Sequence, residues 1–124
     1  KDWRQTVNEV LLLPNAPIKV DSTGVGDPIA EELQNKRPNV TGFKFSQYSK
    51  QQLMEGLALA IQQRRINFPD GIIRDELESF EYLYTKTGVK YSAPNGLHDD
   101  CVCALALAWD CHRSAVSFGN YSWA

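Results

Sequence analysis

Residues 17–36 read PIKVDSTGVGDPIAEELQNK, and the order of residue types in this stretch decides the fold. Ile18 and Val20 sit two apart, the spacing that sends both to one face of a strand. The strand stops at Asp21, where Ser22, Thr23, Gly24 and Gly26 supply turn residues, so Asp21 stands at its carboxyl end. Asp27 is placed to cap a helix, Pro28 suits the first helical position, and Ile29 and Leu33 share a face. Strand, glycine turn and helix are followed by NVTGFKFSQ, whose Val40, Phe43 and Phe45 read as a second strand with Gly42 as a bulge. Two strands joined through a helix form a βαβ unit with a parallel pair and a right-handed crossover.

Upstream, Trp3, Val7, Val10 and Leu11 recur at helical spacing until Pro14 and Pro17 end the pattern. Downstream, SKQQLMEGLALAIQQRR carries Ser49 and Gln52 in capping-box spacing and Leu53, Leu57 and Ile61 at intervals of four. Residues 72–81 repeat the helical period through Ile73, Leu77 and Phe80. Tyr82, Tyr84, Val89 and Tyr91 then alternate around Thr87 and Gly88, which predicts a β-hairpin abutting the helix end. A last helix starts near Asp99, and Val102, Leu105, Ala106, Leu107 and Trp109 surround its axis, as in a helix buried on most sides or packed between the sheet and another element.

The 124 residues bound the chain to one small domain, and 43% apolar content suffices for one core. No run reaches the roughly 18 apolar residues of a membrane span, and the opening KDWRQTVNEVLLLPN is too polar for a signal peptide, so a cytoplasmic location is the default. Cys101, Cys103 and Cys111 are odd in number and fall in one helix, which suits a reducing compartment. Cys101 and Cys103 point to different helix faces, which argues against a zinc site with Cys111 and His112. The net charge of −2 advertises no nucleic-acid surface by itself, but Lys36 with Arg37, Lys44 with Lys50, and Arg64 with Arg65 are candidate parts of a local phosphate-binding strip.

The chemistry concentrates in the acids. Asp21 ends a strand, and in GLHDDCVCALALAWD, residues 96–110, Asp99 and Asp100 open a helix beside His98. A helix N-terminus stabilises negative charge by roughly 0.3–1 kcal/mol, too little to hold three converging carboxylates without a cation. An all-oxygen donor set selects magnesium or manganese over zinc, and two such ions about 3.5–4 Å apart hydrolyse phosphodiesters. His98 is suited to orienting a carboxylate, donating to a phosphate oxygen or positioning the leaving group. The simpler alternatives are that Asp99 or Asp100 caps the helix and that Asp21 bonds its own turn. STGVGDP lacks the lysine of a P-loop and the third glycine of a dinucleotide fingerprint, so nucleotide binding is a weak reading.

VDSTGVGDPIAEEL, GFKFSQYSKQQLMEGLALAI, INFPDG, ELESFEY and YSAPNGLHDDCVCALALA together resemble, in order, the C-terminal nuclease domain of the large terminase subunits of tailed bacteriophages and prophages. The resemblance covers most of residues 18–108. It implies an RNase H-like fold, similar to that of Holliday-junction resolvases, and a two-metal Mg2+ or Mn2+ endonuclease that cuts concatemeric double-stranded DNA during genome packaging. It implies that Asp21 is the second catalytic acid and that Asp99 and Asp100 form the last acidic motif; Asp99 is favoured here as the closer metal ligand, with Asp100 contributing as a ligand or through hydrogen bonds, and spacing alone does not rank the two. Lys44, Lys50, Arg64 and Arg65 are candidate DNA contacts. The implied partners are DNA and, in a full terminase, the ATPase domain, portal and small subunit, in the cytoplasm of a bacterial host.

The chain also departs from that pattern. The family carries a first catalytic aspartate on the opening strand of a β-meander, and nothing before Lys1 supplies it, nor is there a Walker A loop. The expectation is therefore a partial nuclease domain, residues 1–124, with one ligand missing and an apolar sheet edge that favours self-association. The alternatives are a non-catalytic prophage remnant or assembly module with the same fold, and a resolvase-like nuclease.

Overall fold

The computed structural model of the chain describes residues 3–24, 28–85, 88–92 and 99–118. Among the described residues, five helices and four strands follow in the order α1 Trp3–Leu11, β1 Ile18–Asp21, α2 Pro28–Lys36, β2 Val40–Phe43, α3 Gln47–Gln62, α4 Ile72–Ser79, β3 Glu81–Thr85, β4 Gly88–Ser92 and α5 Asp100–Phe118. β1 and β2 are parallel, with Ile18 opposite Val40 and Asp21 opposite Phe43, so the βαβ unit forms as its sequence requires. β3 and β4 make the antiparallel hairpin, with Tyr82 opposite Tyr91 and Tyr84 opposite Val89, and β4 lies along α3. No helix among the described residues is long and apolar enough to cross a membrane.

Strand alternation divides the parallel pair between two cores. Ile18, Val20 and Val40 face Val7 of α1 and Leu33 of α2. Phe43, one pleat out of phase with Val40, faces the larger core, in which Leu53, Met54 and Leu57 of α3 meet Val102, Ala106 and Leu107 of α5. Helices therefore cover both faces of the short sheet, the layering of an α/β fold. Lys19, on the α5 side of β1, bonds Asp110 across the layers at 2.7 Å with both side chains largely buried. Asp21 lies one pleat further on and so opens toward the same side as α5.

Several expectations change in detail. Gly42 is not a bulge, because it pairs in register with Val20. A Cβ there would stand 2.7 Å from Ser22 Oγ, so the glycine admits the turn after β1. The capping box of α3 lies three residues upstream of the expected one: Ser46 Oγ accepts the Ser49 N–H at 3.0 Å, and Ser49 Oγ accepts the Ser46 N–H at 2.8 Å. Ile61 is exposed and Ala60 buried instead, since each step of four overshoots a 3.6-residue turn by about 40°. On α5, Val102 and Ala106 are fully buried, whereas Ala104 and Ala108 are exposed, so the helix packs between layers with one side open. Asp27, proposed as a cap of α2, lies outside the described residues. Arg37 belongs to no basic strip. It is 7% exposed and donates to the carbonyls of Val10, Leu13 and Pro14, closing the end of α1.

Candidate active site

The end of β1 sets the first carboxylate. Asp21 Oδ1 accepts the Thr23 N–H at 2.8 Å and the Thr23 hydroxyl at 2.5 Å, a turn that locks the side chain to its own backbone. Thr23 Oγ1 in turn accepts the Phe45 N–H at 2.9 Å, so the residues leaving β1 and β2 are tied together beside Asp21. Gly24 completes the turn at φ +100°, a conformation that β-carbon sterics deny to most residues. The turn reading of Asp21 holds, and Thr23 engages only its Oδ1.

The second group comes from the start of α5. Asp99 immediately precedes the helix, and its carbonyl accepts the Cys103 N–H at 3.0 Å. A side-chain cap at that position would accept from the second or third helical residue. Those donors are already taken, since Glu76 of α4 receives the Cys101 N–H at 2.9 Å and the Val102 N–H at 3.1 Å on a single oxygen, Oε1. The Asp99 carboxylate points instead to Lys50 in the first turns of α3, Oδ2 to Nζ 3.1 Å. Asp100 is exposed in the first turn of α5, where the helix dipole favours an anion.

Asp21, Asp99 and Asp100 line one cleft of about 450 Å3 with Thr23, Lys50 and Cys103, walled by Phe45, Ala104 and Leu107. The carboxylates form an all-oxygen donor set that suits a hard divalent cation. In the present arrangement no three acidic, histidine or cysteine side chains among the described residues close on a single point. Lys50 is paired with Asp99 Oδ2 and Thr23 holds Asp21 Oδ1, so a cation in the cleft would compete with Lys50 for that oxygen of Asp99. Cys103 contributes no thiolate at neutral pH, because burial pushes its thiol up to about 11, reinforced by the charge of Asp99.

The remaining predicted residues are dispersed. His98 lies outside the described residues. Lys44 is exposed in the loop between β2 and α3, its carbonyl held by the Ser49 hydroxyl. Arg64 and Arg65 follow the far end of α3, about 20 Å of helix rise beyond Lys50 at 1.5 Å per residue. The structure thus brings Lys50 to the acids and leaves the arginine pair at the opposite end. Thr23 and Glu76 escaped the sequence reading. Thr23 was legible as an Asx-turn partner two residues from Asp21, whereas Glu76 lies 25 residues from its nearer partner and carries no local signal.

The parallel βαβ pair, covered by helices on both faces, is the part of an RNase H-like nuclease fold that the chain shares with known proteins. Residues 15–110 match the terminase RNase H-like domain family, and the chain belongs to that family. It is 40% identical over 98 residues to the terminase large subunit of Thermus phage G20c, covering 77% of this chain and 20% of that protein. The chain thus spans about a fifth of the length of that relative. Crystal structures of the large terminase nuclease from thermophilic phage G20c, with bound cobalt and with bound magnesium, superpose with a TM-score of 0.77 at 35% identity, covering 89% of this chain and 62% of theirs. The large terminase nuclease domain of Thermus phage P74-26 gives a TM-score of 0.72 at 33% identity, with coverage of 88% and 60%.

Proposed function

We propose that this chain is part of a metal-dependent endonuclease domain that cuts concatemeric double-stranded DNA in the cytoplasm of a bacterial host as phage genomes are packaged. The observation that carries this reading is the shared cleft of Asp21, Asp99 and Asp100. The cobalt and magnesium bound to the G20c nuclease support a divalent ion as cofactor. Asp21, Asp99 and Asp100 would hold magnesium or manganese, and two such ions supply an activated water and stabilisation of the leaving oxygen.

The geometry supports distinct roles for the residues of the cleft. Thr23 fixes Asp21 Oδ1 and leaves Oδ2 for ligation. Phe45, Ala104 and Leu107 form an apolar wall that lowers the local dielectric and strengthens every charge interaction in the cleft. Lys50 neutralises Asp99 before a cation enters and, once displaced, faces a DNA phosphate with Lys44 nearby in the loop. His98, which follows from sequence alone, is assigned the role of orienting a carboxylate, donating to a phosphate oxygen or positioning the leaving group. Contacts of this kind read phosphates rather than bases, so cleavage is independent of sequence. The ATPase domain, portal and small subunit are the proposed partners.

Supercoiled plasmid incubated with manganese tests the reading. Weak nicking is expected from the parent protein and none from Asp21→Asn. Nicking that survives this change refutes the site, and an inert parent protein favours the non-catalytic remnant.

A further inference from the structure

We infer that Glu76 is a positioning residue of the acidic site: by capping α5 from a neighbouring helix, it releases Asp99 from capping its own helix and leaves that carboxylate for the cleft. The inference rests on the metal-site reading proposed above.

Three observations converge on it. The N–H groups of Cys101 and Val102 are the second and third donors of α5, the pair that an aspartate just before the helix ordinarily claims. Both are satisfied by Glu76 Oε1, at 2.9 and 3.1 Å. Asp99 stands in the capping position, its carbonyl already bonded to Cys103, yet its side chain reaches across to Lys50. An aspartate at this position left without a competitor turns back onto its helix, because unsatisfied N–H groups and the positive end of the dipole lie within its reach.

Glu76 can act in this way because α4 packs against α5, and Leu77, its neighbour, is anchored in the core that contains Val102. The carboxylate is therefore delivered by a fixed element and not by a loop. The two N–H groups it accepts are backbone donors, and its other contact is the neutral Cys101 thiol, so an amide oxygen can replace it, whereas a methyl group cannot.

The test is calorimetric titration of the protein with manganese alone, in the parent, Glu76→Gln, Glu76→Ala and Val7→Ala, combined with amide exchange at Cys101 and Val102. Val7 lies in the other core and reports the effect of lost stability by itself. Removing a partner that orients a metal ligand typically weakens metal binding about 10–100-fold, and Glu76→Ala is expected near the lower end of that range. Glu76→Gln should stay within about threefold of the parent, because the amide oxygen retains the bonds to the backbone. In Glu76→Ala the two amides should remain protected, since Asp99 takes them over, while affinity falls. Parent-like affinity in Glu76→Ala, or an equal loss in Val7→Ala, overturns the inference. So does an equal loss in Glu76→Gln, which would assign the effect to charge. A parent protein that takes up no manganese refutes the metal-site reading itself, and with it this role for Glu76.

Discussion

Lys50 Nζ lies 3.1 Å from Asp99 Oδ2, and each side chain is 25% exposed. The ammonium thus occupies the charge position that a divalent ion would compete for. Replacing Lys50 by methionine keeps the apolar stem and removes the competitor. An ion pair of this exposure is worth about 0.2–1 kcal/mol, so manganese affinity is expected to rise by a factor of roughly 1.4 to 5 in calorimetry. The same variant should bind duplex DNA more weakly, with a shallower salt dependence, because one phosphate contact is lost. Unchanged manganese affinity would show that Lys50 does not oppose the cation.

Thr23 makes a prediction of opposite sign. Thr23→Val preserves shape and the N–H bond to Asp21 but removes the hydroxyl that donates to Asp21 and accepts from Phe45. Both bonds are exposed, which puts them at the low end of the about 0.5–1.5 kcal/mol that an intramolecular hydrogen bond contributes, so a small drop in thermal stability should accompany a several-fold loss of manganese affinity. Full affinity in this variant would indicate that the turn alone aims Asp21.

The layers bearing the two halves of the site are fastened by Lys19 and Asp110, 2.7 Å apart and 14% and 18% exposed. Burial alone would raise the Asp110 carboxyl, but hydrogen bonds from Lys19 and Arg113 outweigh it and hold the group below its ordinary value of 3.8. A carboxylate depressed in the folded state contributes stability that is fully present above about 3.8 and is lost as pH falls through the lower folded value. Lys19→Met is accordingly expected to cost about 1.5–3 kcal/mol at pH 7, the range for a hydrogen bond to a charged group. The gap from the parent should narrow below pH 3.8 in urea titrations. A gap that is constant with pH would mean that Lys19 acts through packing alone.

The parts of this fold written in local periodicity were legible from sequence. Ile18, Val20 and the glycine turn required the βαβ unit, and the alternation of Tyr82, Tyr84, Val89 and Tyr91 required the hairpin. Asp21, Asp99 and Asp100, which line one cleft, stood out in the sequence because each stands where an element starts or stops. What sequence could not supply was which element faces which. Lys50 and Arg64 look alike as cations on one helix, but only the N-terminal end of α3 meets the acids. Arg37 reads as a surface charge and is spent on the carbonyls at the end of α1. The roles of Asp99 and Glu76 depend on the packing of α4 against α5, a tertiary contact that no spacing rule encodes.

Gly42 joins fold to site and gives the last prediction. It pairs with Val20, and a Cβ at this position would come 2.7 Å from Ser22 Oγ and 3.2 Å from Ser22 Cβ. Rotation of the hydroxyl relieves the first contact but not the second, so Gly42→Ala must push apart the residues that follow β1. Overpacking of this kind costs about 1–3 kcal/mol, read as a lower melting temperature. Because Ser22 lies between Asp21 and Thr23, the displacement should also weaken the Thr23 clamp and reduce manganese affinity. Adding Ser22→Ala removes the oxygen and should recover part of the stability. Unchanged stability and affinity in Gly42→Ala would show that this turn yields freely, and that Asp21 is held by Thr23 without help from the fit between the two strands.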